Sequence, residues 1–334
     1  MQKRAFGRAD LQVSEICLGT MAFGGGVEPR EARRILDAFT AHGGTFVDAA
    51  NTFGSGEGER ILGEALRGRR DRVVLGTKFG RSTDPSDPTA CGNRRENLRR
   101  SLDQSLTRLG TDHVDVLWAH AWDPSTPAEE LALGFEEAIR SGKARHVGMA
   151  DAPAWAVARV HTLAERSDVR VDGVILEYGL AARDAERELL PMADALGITP
   201  LAWGLLSGDL VLGDREGVKA RQESSGDYYA RVRGEAALRI GDTLRSIASA
   251  RGDSAAAVAI AWVRAAQPSV IPVVGPRTES ELRDRLAALE IVLDEHERRL
   301  LDEHSRIDLG FPSEYAKDPG VVREIYGDPA KKGK

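Results

Sequence analysis

Short uninterrupted apolar runs alternate along the chain with longer segments in which apolar residues recur every three or four positions. The runs are typical of buried parallel strands, and the longer spacing is typical of amphipathic helices. The pattern predicts eight strand–helix pairs, with Gly, Asp, Ser and Thr at the joints as turns and caps require. The strands are expected at 15–21, 45–50, 73–78, 113–120, 144–150, 171–177, 199–206 and 269–275, and the helices at 29–43, 57–68, 93–110, 127–142, 152–167, 184–197, 254–266 and 278–290. Eight such units in 334 residues predict an α/β fold, a closed (β/α)8 TIM barrel.

Four segments lie outside this repeat. Residues 2–14 are predicted to form a hairpin at the bottom of the barrel, and extra helices are expected at 234–252 and 293–307. The irregular stretch 309–327 is expected to fold over one barrel mouth. We interpret 1–327 as a single domain and predict that 328–334 is a disordered tail.

A dinucleotide-binding Rossmann fold is a weaker interpretation. The segment GSGEGE, residues 54–59, follows a strand and opens a helix, but its glycines are spaced G-x-G-x-G and not G-x-G-x-x-G. The strand pattern also continues beyond six strands.

Composition and charge narrow the functional classes. The chain has 42% hydrophobic and 29% charged residues, as a soluble globular protein does, and its net charge is −6. Nothing favours a nucleic-acid or membrane partner, and no apolar stretch reaches membrane-spanning length. The two cysteines exclude a disulfide framework and no zinc-like spacing predicts a metal site, so we expect a cytoplasmic protein with a small-molecule substrate. The sequence does not predict an oligomeric state.

Ionisable residues end three successive predicted strands: Asp48, Lys78 and His120. In a parallel barrel these strand ends meet at one mouth, where catalytic residues lie. A lone buried carboxylate is costly, so Asp48 is expected to pair with Lys78. We interpret the three as a functional site; the alternative is a core ion pair and an unrelated histidine at a loop edge.

Specific stretches of the sequence also resemble those of a known protein family. The chain closely resembles the aldo-keto reductases over nearly its whole length, and its ending resembles one bacterial branch of that family. The stretches that carry the resemblance include FVDAANTFGSGEGERILGEAL, VVLGTKFG, GKARHVGMADAPAW, VIPVVGPRTESELRDRLAALE and the ending IDLGFPSEY. The resemblance implies a barrel that binds NADPH and reduces carbonyls with an Asp, Tyr, Lys and His tetrad. The Tyr protonates the carbonyl oxygen, the Lys lowers the Tyr pKa, and the His orients the carbonyl.

Carried onto this chain, the tetrad falls on Asp48, Lys78 and His120, with Phe53 at the position of the Tyr. Phenylalanine has no proton to donate. The resemblance therefore implies a site without its usual general acid. We expect His120, the retained member able to exchange protons near neutral pH, to carry the chemistry.

The family's cofactor contacts are only partly present. Where relatives hold the nicotinamide carboxamide with Ser, Asn or Asp, and Gln, this chain has Ala150, Asp151 and Ile175. Trp203 occupies the position of the aromatic ring that stacks on nicotinamide. Two of the three amide partners are thus apolar.

The phosphate-binding positions also depart from the family. The segment WGLLSGDLVLGD brings Asp209 and Asp214 to the loop that cradles the pyrophosphate in relatives. Arg277 matches the residue that meets the ribose phosphate, Glu281 is assigned to cofactor binding, and Arg285 replaces an Asn that contacts adenine. The cofactor is therefore NADPH if there is one, with weakened or lost binding.

Three functions follow from these features. The first is an atypical NAD(P)H-dependent reductase or dehydrogenase acting on a small, partly apolar carbonyl or hydroxyl metabolite in a pocket lined by Phe53, Trp122 and Ile175. The second is a redox-independent dehydratase, cyclase, isomerase or lyase that uses Lys78 and His120. The third, a non-catalytic cofactor-sensing module, would require an intact cofactor groove.

Overall fold

A closed barrel of eight parallel strands forms the centre of the protein, as the sequence predicts. The structure is a computed structural model that describes residues 1–8, 11–213, 216 and 228–327. Each strand pairs with its sequence neighbour, and the last strand closes on the first. The barrel strands are β3 (Cys17–Gly19), β4 (Phe46–Asp48), β5 (Val74–Phe79), β6 (Val114–His120), β7 (Ala144–Ala150), β8 (Val171–Glu177), β9 (Thr199–Trp203) and β10 (Ile271–Val274).

Helices surround the barrel, and most of them bury an apolar face against it. Local sequence sets several of their ends: Pro29 opens the first helix, and Asp294 and Glu297 form a capping box. The helices are α1 (Pro29–Ala41), α2 (Glu57–Leu66), α3 (Arg95–Leu109), α4 (Ala128–Arg140), α5 (Ala154–Ala164), α6 (Leu189–Leu196), α7 (Tyr228–Arg251), α8 (Ala255–Ala266), α9 (Glu279–Leu286), α10 (Glu295–Ser305) and α11 (Pro319–Tyr326).

Some predicted boundaries are wrong. The strand expected at 199–206 ends at Trp203, because Gly204, Ser207 and Asp209 all have positive φ, which breaks the extended backbone. The helix expected from 184 starts at Leu189, after a 3₁₀ turn. The extra helix expected at 234–252 begins earlier, at Tyr228.

A two-stranded hairpin lies at the end of the barrel where the strands begin. It consists of β1 (Lys3–Ala5) and β2 (Gln12–Ser14). Ser14 Oγ accepts hydrogen bonds from the Thr45 and Phe46 amides, which ties the hairpin to the start of β4. Phe6 follows β1 and is fully buried, with its ring 5.6 Å from that of Phe46 and 6.0 Å from that of Trp118. The predicted bottom plug is therefore present.

Two glycines make room inside the barrel for Trp118. A Cβ atom on Gly148 would lie 2.3 Å from the Trp118 ring, and one on Gly173 would lie 2.6 Å from Phe6. Both distances are too short for any side chain. The end of the barrel interior next to the hairpin is therefore filled by Phe6 and Trp118.

The C-terminal segment contains a helix that the sequence interpretation described as irregular. That helix, α11, has no buried residue, and the segment contacts the barrel through Arg187, whose guanidinium donates to the Asp308 carbonyl at 2.9 Å. The expected cover over the mouth stays a prediction. Asp214 and the tail 328–334, with its predicted disorder, lie outside the described residues.

Within the part of the chain that the structure describes, no helix is both long enough and apolar enough to cross a membrane.

Candidate active site

The strand ends bring the three predicted ionisable residues to one mouth of the barrel. Asp48 is the last residue of β4, Lys78 the next-to-last of β5, and His120 the last of β6. These strands are adjacent and parallel, so their ends lie side by side. All three residues are at least 94% buried.

Asp48 and Lys78 form the predicted buried ion pair. Lys78 Nζ donates to Asp48 Oδ2 and, at 2.9 Å, to the Ala49 carbonyl. Asp48 Oδ1 has no hydrogen-bond partner among the described residues. Burial raises the pKa of Asp48, and the attraction of Lys78 opposes that rise without cancelling it. Two of the three ammonium protons of Lys78 are thus engaged below the mouth.

Phe53 lies directly beside this pair. It starts a 3₁₀ turn, Phe53–Gly56, in which Gly54 and Ser55 both have positive φ. A Cβ atom on Gly54 would lie 2.9 Å from the Gly24 backbone, so this approach requires glycine. Lys78 Nζ lies 5.2 Å from the centre of the Phe53 ring, a cation–π distance.

The Phe53 ring also meets His120, edge to face, with 6.5 Å between ring centres. The apolar Phe53 ring therefore contacts both the ammonium group of Lys78 and the imidazole of His120. It offers neither of them a hydroxyl group.

The expectation that His120 exchanges protons near neutral pH is wrong. Burial, followed by the positive charges of Lys78 and Arg81, lowers its pKa to about 3. Its Nδ1 is buried and has no hydrogen-bond partner among the described residues. The imidazole is therefore neutral at ordinary pH, suited to orienting an oxygen atom and not to acting as a cationic acid.

Asp151 lies next to His120, a contact that sequence reasoning missed. Its Oδ2 is 3.7 Å from His120 Nε2, and its Oδ1 accepts a 2.9 Å hydrogen bond from Trp203 Nε1. Asp151 has φ +53° and the neighbouring Ala121 has φ +69°, a left-handed conformation that is uncommon outside glycine and more unusual for alanine than for aspartate. Strain of this kind concentrates at functional sites. Hydrogen bonds to the Ile175 and Ala150 carbonyls, respectively, hold the two backbones.

Apolar and aromatic residues surround the polar ones. Ala150 and Ile175 are buried at 1% and 4% exposure and belong to the apolar cluster inside the barrel, against which Trp203 packs. Trp122 meets Trp155 edge to face, with 5.5 Å between ring centres. Trp155, which is 59% exposed, was not selected from the sequence although it lies in the first turn of the helix that follows β7.

The predicted phosphate-binding residues lie beside β10. Arg277 is 66% exposed and reaches Asp209 at 3.5 Å, while its amide donates to the Glu281 carboxylate. Arg285 is 12% exposed and pairs with Glu281 at 3.3 Å. Glu281 is itself held by Thr278, whose hydroxyl caps α9. Arg277 thus presents its guanidinium to solvent, and Arg285 is largely engaged by Glu281.

A network of ion pairs at the far side of the mouth was also not predicted from the sequence. Arg233 of α7 donates to Glu177 at 2.9 Å and to Asp184 at 2.6 Å. These two carboxylates raise its pKa, although burial acts in the opposite direction. Arg233 lies more than fifty residues along the chain from Glu177, so no local signal could have predicted the contact.

Among the described residues, no group of His, Cys, Asp and Glu is arranged to hold a metal ion.

Comparison with known proteins gives the same picture. The sequence model of the aldo/keto reductase family matches residues 15–306. A norsolorinic acid reductase of Aspergillus flavus is 33% identical over 322 residues, which cover 92% of this chain and 81% of that protein. An uncharacterized oxidoreductase of Bacillus subtilis, YrpG, is 36% identical over 318 residues, which cover 91% and 95%. An aryl-alcohol dehydrogenase of Pestalotiopsis microspora is 31% identical over 330 residues, which cover 94% and 85%.

A solved structure agrees with these relatives. The crystal structure of a thermostable aldo-keto reductase, Tm1743, with the inhibitor epalrestat superimposes with a TM-score of 0.73 at 26% identity, and the match covers 91% of this chain and all of that one. The barrel, the family match and these relatives agree: this chain belongs to the aldo/keto reductase family.

Proposed function

We propose that the protein is an atypical NADPH-dependent reductase of small aryl carbonyl compounds. The observation that carries the proposal is the set of Asp48, Lys78 and His120 gathered at the C-terminal mouth of the barrel, with Phe53 in contact with the latter two. In this arrangement His120 Nε2 is available to donate to a carbonyl oxygen, and the charge of Lys78 favours negative charge developing there. The missing hydroxyl group lowers the rate, since a general acid typically contributes ~10²–10⁴-fold.

Several residues fit a reduced nicotinamide cofactor, which supplies a hydride when it is bound. Trp203 offers an aromatic face. Asp151 Oδ1, which accepts from the Trp203 indole N–H, can also accept a hydrogen bond from the carboxamide. The exposed guanidinium of Arg277 suits the ribose phosphate. Ala150 and Ile175 give the carboxamide no hydrogen bond, which supports binding weaker than is usual in the family.

The two tryptophans beside the site support an aromatic substrate. Trp122 and Trp155 present ring faces and edges next to the strands that carry His120 and Asp151. The printed names of two relatives, norsolorinic acid reductase and aryl-alcohol dehydrogenase, point to the same class of compound. Planar aromatic groups gain from edge-to-face and offset-stacked contacts with such rings.

The test is a titration with NADPH followed by tryptophan fluorescence, and then an assay with aryl aldehydes and ketones. Trp203→Phe is the matched control, because four other tryptophans remain in that variant. We expect saturable quenching that is much smaller in the control, together with slow oxidation of NADPH when an aryl aldehyde is present. Absence of both NADPH binding and turnover would overturn the proposal.

A redox-independent enzyme is the second candidate. The three apolar side chains Phe53, Ala150 and Ile175 favour it, because each stands where the family has a polar group for the reduction. In that case Lys78 and His120 would act on a substrate that fills the nicotinamide position. Tight binding of an aryl metabolite in competition with NADPH, with no NADPH oxidation, would favour this function over the first.

A further inference from the structure

The proposed reduction needs a proton for the carbonyl oxygen. Phe53 has none to give, Lys78 already bonds Asp48 and the Ala49 carbonyl, and the neutral His120 is a poor acid. We propose that Asp151 is the catalytic proton donor of this site, in place of the missing hydroxyl group. This inference rests on the proposed function.

The geometry of Asp151 suits this role. Its Oδ2 and His120 Nε2 are 3.7 Å apart, too far for a direct hydrogen bond. A single oxygen atom can lie about 2.8 Å from each, which is an ordinary hydrogen-bond distance to both. A carbonyl oxygen seated there accepts from the imidazole and from the carboxyl group together.

The other side of the carboxyl group is fixed. Trp203 Nε1 donates to Asp151 Oδ1 at 2.9 Å, so only Oδ2 turns toward His120. The left-handed backbone at φ +53° is held by the hydrogen bond from the Asp151 amide to the Ile175 carbonyl. The side chain is 31% exposed, which leaves it a route to solvent.

The surroundings favour the protonated carboxyl group. Partial burial is the largest influence and raises the pKa of Asp151, and the 31% exposure of the side chain limits that rise. The Trp203 hydrogen bond and the positive charges of Lys78 and Arg81 oppose the rise, and Glu177 adds to it. Charged groups from several strands act on Asp151. The positive ones are Lys78 of β5 and Arg81 of the loop after it, and the negative ones are Glu177 of β8 and Asp48 of β4. His120 of β6 and Trp203 of β9 are the neighbouring rings. The net direction is upward, as a general acid requires.

The reaction balances with one proton and one hydride. The carbonyl carbon accepts a hydride and its two electrons from the reduced nicotinamide cofactor, which is oxidised. The electron pair of the C=O π bond moves to oxygen, the O–H bond of Asp151 breaks, and the proton forms the new O–H bond. Asp151 is left ionised and regains a proton from water.

The decisive variant is Asp151→Asn, because it separates proton donation from cofactor binding. Asparagine has the same shape and still accepts from Trp203 and bonds a carboxamide, but it has no acidic proton. We expect kcat with an aryl aldehyde to fall at least ~10²-fold. The Kd for NADPH, from tryptophan fluorescence, should change by less than about threefold, the scale of one neutral hydrogen bond.

Two further variants complete the kinetic test. Asp112→Asn removes a surface carboxylate that is 94% exposed and should leave kcat unchanged. Phe53→Tyr placed in the Asp151→Asn background restores the hydroxyl group next to Lys78 and should recover activity. In the parent, kcat should fall as pH rises through the raised pKa of Asp151, and the rescued double variant should keep its activity to higher pH.

An independent readout needs no turnover. The ¹⁵N-indole resonance of Trp203 in the cofactor-free protein should shift as Asp151 titrates, with a midpoint above the ordinary Asp value of about 3.9. The shift should vanish in Asp151→Asn, and Trp203→Phe assigns the resonance. Equal kcat in parent and Asp151→Asn, or a Trp203 resonance that titrates at or below the ordinary value, would overturn the inference. Absence of turnover in both the parent and Phe53→Tyr would overturn the proposed reductase function, and this inference with it.

Discussion

Removing the carboxylate of Asp48 should destabilise the protein strongly. Asp48 and Lys78 are each only 4% exposed, and in Asp48→Ala the ammonium group keeps the Ala49 carbonyl at 2.9 Å as its one remaining hydrogen-bond partner among the described residues. Removing one partner of a buried ion pair leaves an uncompensated charge, which lowers the free energy of unfolding by about 3–5 kcal/mol. Total stabilities are about 5–15 kcal/mol, so the shift in the unfolding midpoint should be large.

The pair as a whole should contribute little. Burial raises the pKa of Asp48, and the attraction of Lys78 opposes that rise. Replacing a buried ion pair by apolar residues of similar volume is often neutral or stabilising, because the cost of removing the charges from water offsets their attraction. The double variant Asp48→Ala/Lys78→Met should therefore be more stable than Asp48→Ala alone. A double-mutant cycle measures this coupling.

The assay is guanidinium unfolding followed by circular dichroism at fixed pH. Asp103→Ala is the matched control, because Asp103 pairs with Lys143 at 2.6 Å on the surface, where the side chains are 56% and 43% exposed. That control should lose less than about 1 kcal/mol. An Asp48→Ala midpoint equal to that of the parent, or additive effects in the double variant, would refute the reasoning.

Three more predictions concern single side chains. The pKa of His120 is about 3 in the fold against ~6.5 when unfolded, so the unfolded chain binds more protons between these values. Stability should therefore fall as pH drops through this window, and His120→Gln should lose less in pH-dependent thermal unfolding; equal losses would contradict the pKa. Cys17 is fully buried with a raised pKa, whereas Cys91 is partly exposed, so iodoacetamide mapped by mass spectrometry should modify Cys91 first. Phe53→Tyr should raise the rate of aryl aldehyde reduction, since Lys78 Nζ lies 5.2 Å from the ring centre; an unchanged rate would show that a missing hydroxyl group is not what limits turnover.

The fold could be predicted from the sequence because the barrel repeats one pattern eight times. Each strand is a short apolar run, and its neighbour in sequence is its neighbour in space. The ion pair of Asp48 and Lys78 followed from the same rule, since adjacent strand ends had to meet. Boundaries failed where backbone conformation changed without an apolar signal, as at Gly204, which ends β9 early.

The parts of the site that sequence could not supply depend on torsion angles and long-range contacts. The positive φ at Asp151 lets its carboxyl group reach both His120 and Trp203, and an aspartate in the sequence does not by itself specify this conformation. Arg233 of α7 meets Glu177 across 56 positions of sequence, a contact that only the tertiary structure provides. Burial, which decides that His120 is neutral, is likewise a property of the packed barrel.

The stability costs of the residues at the barrel mouth indicate a functional role for the site. If the Asp48–Lys78 pair adds little net stability, its presence is not accounted for by the fold alone. The same holds for the strained backbones of Ala121 and Asp151, which cost of order 1–3 kcal/mol each. A barrel without chemistry gains nothing from a buried ammonium group at its C-terminal mouth. The charge of Lys78 instead creates a favourable field for an oxygen atom that becomes negative. Next to it, the imidazole of His120 stays neutral, and the carboxyl group of Asp151 stays protonated more readily than usual. These three properties together suit a site where a carbonyl oxygen gains electrons, whether or not Phe53 takes part.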